Sequence, residues 1–260
     1  MDKLLIFKIG GKVVDNPQSL ESFLEGFAAL SVPKILVHGG GIIAEQLAKR
    51  LDIPTEMHQG RRITSAAMRD VVTMVYGGQI NKSIVASLQR LGCDAIGLTG
   101  ADGGIIRAKR RAPAPVDFGY VGDVTEIRSD LLVKFLELGL TPVLAPLSFD
   151  QEILNTNADS IASRLAEALS SHYLVHMMYC FEQTGVMLDL KDPESLIERL
   201  DLPYYKTLLQ AGAFTAGMLP KLEECFRARQ NGAQHIVIAE AAACLAHAEG
   251  KPFRGTRIEL

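Results

Sequence analysis

Short unbroken apolar runs alternate with segments of helical periodicity, and that alternation predicts the fold. Leu4-Leu5-Ile6-Phe7 opens the chain, with Lys8 near the end of the run and Gly10-Gly11 closing it. A continuous run of this kind fits a strand buried on both faces. Asn16-Pro17 is a helix start, and Leu20, Phe23, Leu24, Phe27 and Leu30 then recur at helical spacing. Pro33 breaks the pattern, 34–37 is the next strand, and His38-Gly39-Gly40-Gly41 leads into a helix over 42–51. Strand, helix, strand, glycine turn and helix make a βαβ unit, which predicts a parallel sheet.

The segment 60–64 reads as extended. Helices follow over 65–76 and 80–91, then a strand over 94–98. A hairpin pairs 105–109 with 120–127 across a proline-containing loop. Ser129 is placed to cap a helix to 138, and 141–145 is another buried strand. Asn155-Thr156-Asn157-Ala158-Asp159 precedes a helix to 170, and 173–178 is apolar and extended. Beyond it the texture changes. Residues 192–212 are charged and helical, 216–230 is a longer helix, 235–239 is a last core strand, and a helix to 248 precedes Thr256-Arg257-Ile258. These elements divide the chain near residue 171 into lobes of 1–171 and 172–260.

With 260 residues, 48% of them hydrophobic, the chain has material for one large α/β domain or two lobes. The net charge of −3 and the absence of a basic tract argue against a nucleic-acid partner. The densest basic run, Arg107 to Arg111, reads as a solvated hairpin or loop. Cys93, Cys180, Cys225 and Cys244 are far apart and form no CxxC, which fits a reducing cytosol rather than a zinc or redox motif. Met1-Asp2-Lys3 leads straight into a strand, and no apolar run approaches the roughly 18 residues of a membrane span. A soluble cytoplasmic protein without membrane contact is expected.

Four constellations carry chemistry. Lys8 at a buried strand end needs either an anionic partner or a route to solvent, and Gly10-Gly11 lets a phosphate come close. Gly39-Gly40-Gly41 between a strand and a helix offers free amides to an anion, or simply a tight turn. It formally fits G-x-G-x-x-A, but no acidic residue ends a following buried strand, so nicotinamide binding is not expected; no Walker loop is present either. Of Asn155, Asn157 and Asp159, either Asp159 caps the following helix, or the two amides bind a polar substrate while Asp159 holds lysines in place. Lys221, in Gly217-Met218-Leu219-Pro220-Lys221, reads alone as a surface helix lysine. His172 and His176 lack metal-site spacing and read as structural.

Taken in order, the motifs resemble the amino acid kinase family over nearly the whole chain, and within it the branch that phosphorylates N-acetyl-L-glutamate. They are Lys8-Ile9-Gly10-Gly11, His38-Gly39-Gly40-Gly41, Gly60-Arg61-Arg62-Ile63-Thr64, Gly119-Tyr120-Val121-Gly122-Asp123-Val124, Asn155 to Asp159, Gly217 to Lys221 and Gly255-Thr256-Arg257-Ile258. The resemblance implies a three-layer αβα sandwich with a mainly parallel central sheet. The first lobe would bind the acylated amino acid and dimerise, and the second would bind ATP, with Mg²⁺ carried on its phosphates and no metal held by the protein itself.

By the same resemblance, Lys8 and Lys221 stabilise the transferring phosphoryl group and Asp159 orients both. Arg62 takes the α-carboxylate, while Gly40, Gly41, Asn155 and Asn157 hold the rest of the substrate. Gly10, Gly11, Glu182, Gly185, Thr215 and Gly217 fall on the nucleotide side. The acyl group stays open between acetyl and a larger one such as succinyl, which would need a roomier or more basic pocket. A sister kinase acting on another small acid is the alternative within the fold. A catalytically dead ligand sensor is the alternative outside the class, and it predicts loss of Lys8, Asp159 or Lys221, all of which are present. One departure is Phe181-Glu182-Gln183-Thr184-Gly185-Val186, where many relatives have Thr-Asp-Val-x-Gly-Val. Because the chain starts at its first strand, a homodimer insensitive to arginine is expected.

Overall fold

Side chains alternate across every strand of the central sheet, and that alternation decides where the functional groups point. The computed structural model describes residues 1–58, 61–214 and 218–260, with residue 12 described by its backbone alone. Eight strands form the central sheet, in the order Arg199–Leu200, Thr256–Ile258, His235–Glu240, Leu174–Phe181, Lys3–Ile9, Lys34–His38, Thr141–Leu144 and Ala95–Leu98. Neighbours run parallel except Thr256–Ile258 against His235–Glu240. The first strand is central, with Ile6 opposite Met177 on one side and Ile35 on the other.

Leu4 and Ile6 enter one core, with Leu132, Ile161 and Leu222 from the helices Ser129–Glu137, Ala158–Leu169 and Leu219–Gln230. Leu5, Phe7 and Ile9 enter the other, with Phe23, Met68 and Ile84 from Pro17–Ala29, Ala66–Val72 and Asn81–Arg90. The three-layer αβα arrangement is therefore as expected. Phe23 and Phe27 close edge-on over Phe7, with centroids at 5.8 and 5.3 Å. By parity, Lys8 leaves the sheet toward Ala158–Leu169, whereas His38 leaves it toward Asn81–Arg90. Among the described residues no helix is long and apolar enough to cross a membrane.

A second sheet has the order Glu152–Asn155, Leu147–Asp150, Ile106–Arg110, Gly122–Ile127. The expected hairpin between its last two strands forms. The other hairpin is absent from the sequence reading because its turn is Gln151, at φ 57°, with no glycine or asparagine to mark it. Glu56–His58 pairs with Arg61–Ile63, and its exposure explains why it carries no apolar signal.

Other boundaries differ for local reasons. The helices read over 65–76 and 80–91 are one run, Ala66–Val72 and Asn81–Arg90 joined by a π-helical stretch, Thr73–Ile80. Gly77-Gly78 reads as a break, yet at Gly77 the missing side chain makes room for a neighbour: a Cβ there would lie 3.2 Å from Thr99 Cγ2. Ser129 is the first helical residue, with Arg128 in the cap position. Asn157 rather than Asp159 caps Ala158–Leu169, accepting from the Asp159 amide at 2.7 Å. The helix read from 216 is described from Leu219.

Two features of the fold generate tests. Gly100 sits where the two sheets meet: its amide donates to Leu147 O at 2.7 Å, and a Cβ would lie 2.6 Å from Ile106 O and from Ser148 Cα. Gly100→Ala should therefore destabilise the protein by about 1–3 kcal/mol in urea unfolding. The buried His38 places Nδ1 2.8 Å from Gly39 O and Nε2 3.3 Å from Asn81 Nδ2. Nδ1 must donate and Nε2 must accept, so the ring is neutral. Burial pulls its pKa down to about 4, the bond to Gly39 opposing. Unfolded, the ring titrates near its ordinary 6.5. Its contribution is thus fully present above that pH and is lost as pH falls toward about 4. His38→Gln should flatten the acid limb of stability by about 1.4 kcal/mol per pH unit; an identical slope in urea titrations would contradict the assignment.

Candidate active site

The carboxyl ends of the central strands bring three charged side chains into one cluster. Lys8 is the penultimate residue of its strand, Asp159 lies in the first turn of Ala158–Leu169, and Lys221 in the first turn of Leu219–Gln230. Lys8 Nζ is 2.7 Å from Asp159 Oδ1, and Lys221 Nζ is 3.0 Å from Asp159 Oδ2. The side chains are 11%, 17% and 8% exposed, for Lys8, Asp159 and Lys221. Two buried ammonium groups share one carboxylate, so the cluster carries an unbalanced positive charge and calls for an anion.

Burial lowers the pKa of Lys8; Asp159 acts against this and Lys221 adds to it. Burial alone would raise the Asp159 carboxyl, but Lys221 and Lys8 hold it well below the usual carboxylate range. Lys221 also lies 5.2 Å from the ring centroids of both Tyr179 and Phe181, and the Tyr179 hydroxyl donates to Asp159 O at 3.2 Å. The surface-lysine reading of Lys221 is therefore incorrect: helix capping by Asn157 frees Asp159 to hold it.

The two glycine turns pack on one another beside this cluster. Gly39 N donates to Ile9 O at 3.0 Å, and a Cβ on Gly39 would sit 3.3 Å from Gly11 N. Gly40 has φ +155°, and a Cβ on it would lie 2.2 Å from Ile80 Cδ1, so this position excludes any side chain. A cavity of about 300 Å³ opens along the turns, with Gly11, Gly40, Gly41, Arg62, Asn155 and Asn157 on its wall.

Arg62 is almost wholly buried. Its Nη2 donates to Gly41 O at 3.2 Å and lies 3.5 Å from Glu45 Oε2, while its buried Nη1 has no hydrogen-bond partner among the described residues. A largely buried guanidinium in a cavity wall is matched to a carboxylate. Asn155 donates to Thr64 Oγ1 at 3.0 Å, tying the small hairpin to the second sheet.

The residues expected on the nucleotide side are dispersed. Gly10 and Gly11 adjoin the cluster. Glu182 is exposed at a separate cavity of about 530 Å³, shared with Phe181 and Glu240. Gly185 is buried, its Cβ position 2.6 Å from Thr256 Oγ1 and 2.7 Å from Leu196 Cδ1. Thr215 and Gly217 lie outside the described residues, as does Gly60.

Sequence reasoning missed Tyr76, Asp15, Arg61 and Arg111. Tyr76 lies in an apolar helical stretch that gives no sign of a site. Asp15 lies behind Gly11; both its oxygens are buried without a hydrogen-bond partner among the described residues, and burial followed by Glu182 raises its carboxyl. Arg61 and Arg111 line the cavity with Arg62.

Comparison with known proteins agrees with this geometry. A Parabacteroides distasonis protein named acetylglutamate kinase is 48% identical over 260 residues, covering 99% of this chain and 100% of the relative. Its namesake from Cytophaga hutchinsonii is 47% identical over 244 residues, covering 93% and 92%. The solved carbamate kinase of Giardia lamblia bound to AMP-PNP shares the fold at TM-score 0.72 and 15% identity, covering 99% and 98%. Residues 3–240 match the amino acid kinase family, and the chain belongs to that family.

Proposed function

We propose that this chain transfers the γ-phosphoryl group of ATP to the γ-carboxylate of N-acetyl-L-glutamate, giving the acyl phosphate and ADP, a step of arginine biosynthesis. The observation that carries the reading is the buried Lys8–Asp159–Lys221 cluster, with its surplus positive charge, beside a cavity that has Arg62 in its wall. Both ends of a dicarboxylic substrate are provided for.

A carboxylate is already ionised near neutral pH, so the nucleophile needs no general base. What the chain must supply is alignment and charge neutralisation. Lys8 and Lys221 meet the phosphoryl oxygens from two sides, and Asp159 keeps them apart and aimed. Gly11 and Gly40 present backbone amides where no side chain intervenes. Arg62 takes the α-carboxylate, and Asn155 with Asn157 borders the acyl arm. The acyl amino acid is assigned to residues 1–171 and ATP to 172–260, Gly10, Glu182, Gly185, Thr215 and Gly217 being on the nucleotide side. The surplus charge of the cluster fits a polyphosphate, and Mg²⁺ would travel on it to neutralise the remaining charge. A cytoplasmic homodimer completes the reading.

A second reading of the acyl group has one observation in its favour. Arg61 and Arg111 line the same cavity as Arg62, and Arg61 has no ion pair among the described residues. An acyl arm ending in a carboxylate, as in N-succinyl-L-glutamate, would meet a cation there.

Trapping the acyl phosphate with hydroxylamine, using both acylglutamates side by side, tests the two readings. Turnover of either establishes the reaction, and the larger kcat/KM names the acyl group; no product from either overturns the proposal. Lys8→Ala and Lys221→Ala should each lower kcat by about 10²- to 10³-fold. Asp159→Asn leaves two buried ammonium groups without their counter-charge. It should destabilise the fold by about 3–5 kcal/mol as well as abolish turnover; a variant as stable as the parent would show that the ion pairs are not formed.

A further inference from the structure

The strand Leu174–Phe181 changes character at its carboxyl end. Val175 and Met177 enter the core that also holds Leu222 and Ile161. Two and four residues beyond Met177, the same face carries Tyr179 and Phe181, since side chains two apart share one side of a strand. That face is the one turned toward Lys221. The Lys221 ammonium lies 5.2 Å from each ring centroid, within the reach of a cation–π attraction.

Both rings are fixed where they stand. Tyr179 is fully buried, and its hydroxyl donates to Asp159 O at 3.2 Å. Phe181 ends the strand, packs against the same core and borders the cavity of about 530 Å³.

An ammonium has three N–H donors. Among the described residues Lys221 uses one of them, on Asp159 Oδ2 at 3.0 Å. An aromatic face attracts the charge as a whole, so it holds the ammonium without competing for donors as an oxygen would. The buried Lys34 shows the alternative: it too lies over a ring, Phe27, but it donates to the carbonyls of Ala28 and Leu30. A second carboxylate in place of the rings would cancel the surplus positive charge of the Lys8–Asp159–Lys221 cluster. The rings leave that charge intact.

We propose that Phe181, together with the Tyr179 ring, is a positioning residue for Lys221: the two faces hold the ammonium beside Asp159 with its other N–H donors free for the transferring phosphoryl group. The inference rests on the reaction proposed above. The rings act through Lys221, so their effect falls on phosphoryl transfer and not on binding of the acyl amino acid.

The test compares Phe181→Leu, which keeps an apolar side chain but removes the ring, with Phe181→Tyr, which keeps the ring. Single-turnover formation of the acyl phosphate, with the better N-acyl-L-glutamate and ATP both saturating, reads the transfer step directly; steady-state kinetics give each KM. Phe181→Leu should slow transfer about 5- to 20-fold and change KM for the acylglutamate and for ATP less than about twofold. Phe181→Tyr should restore the rate to within about threefold of the parent. An unchanged transfer rate in Phe181→Leu overturns the inference. So does an equal loss in both variants, which would mark the position as packing only, and so does a raised KM for ATP at an unchanged rate, which would make Phe181 a nucleotide contact. Thermal melting confirms that the variants are folded; should leucine unfold the chain, Phe181→Met is read by the same comparison. If the parent turns over neither acylglutamate, the proposed reaction falls and this inference with it. If the parent is active and Phe181→Leu behaves like it, the inference alone falls.

Discussion

Everything at the site depends on one electrostatic constraint: two lysines taken out of water share a single carboxylate. Neither lysine is tolerable there alone, because an unpaired buried ammonium is strongly disfavoured. Asp159 makes both possible, and it can do so only because three elements from distant parts of the sequence end at one point. The central strand supplies Lys8, the helix Ala158–Leu169 supplies Asp159, and Leu219–Gln230 supplies Lys221. The cluster is thus also a tie between the two halves of the chain. Its residual positive charge is a property of the fold, present before any substrate arrives.

Strand parity is what separates this cluster from the polar network on the other face. Lys8 and His38 end neighbouring strands, yet they leave the sheet in opposite directions. One joins a charged trio, the other a neutral network with Asn81 and Gly39. The glycine turns between them belong to both, supported from below by His38 and covered by Tyr76 and Ile80.

The sheet and its layers were legible because their signals are periodic and apolar: the runs at 4–7, 34–37 and 141–145 need no context to be read as strands. The charged trio was legible only as an ordered set of motifs, since Lys221 alone looks like any helix lysine. What escaped had no local signal. The hairpin around Gln151 lacks a turn residue, and the π-helical stretch is written in Gly77-Gly78, which normally marks a break. Asn157 and Asp159 compete for the same capping role on paper, and only the lysines across the cleft decide between them. Tyr76 is apolar by company in the sequence yet lines the cavity over Gly40, a placement that emerges only when the register of the whole helix is known.

The place of the first strand in the sheet has a consequence for how the chain is made. Lys3–Ile9 is made early relative to its partner on one side, Leu174–Phe181. A mostly apolar strand therefore waits, half-paired, until the distant segment Leu174–Phe181 has been synthesised. Pairing across so long a separation is slow, and an unpaired apolar edge invites association with other chains. The arrangement that makes Lys8 central in the finished molecule makes its strand the most exposed to misassembly during translation, when a holding chaperone would matter most.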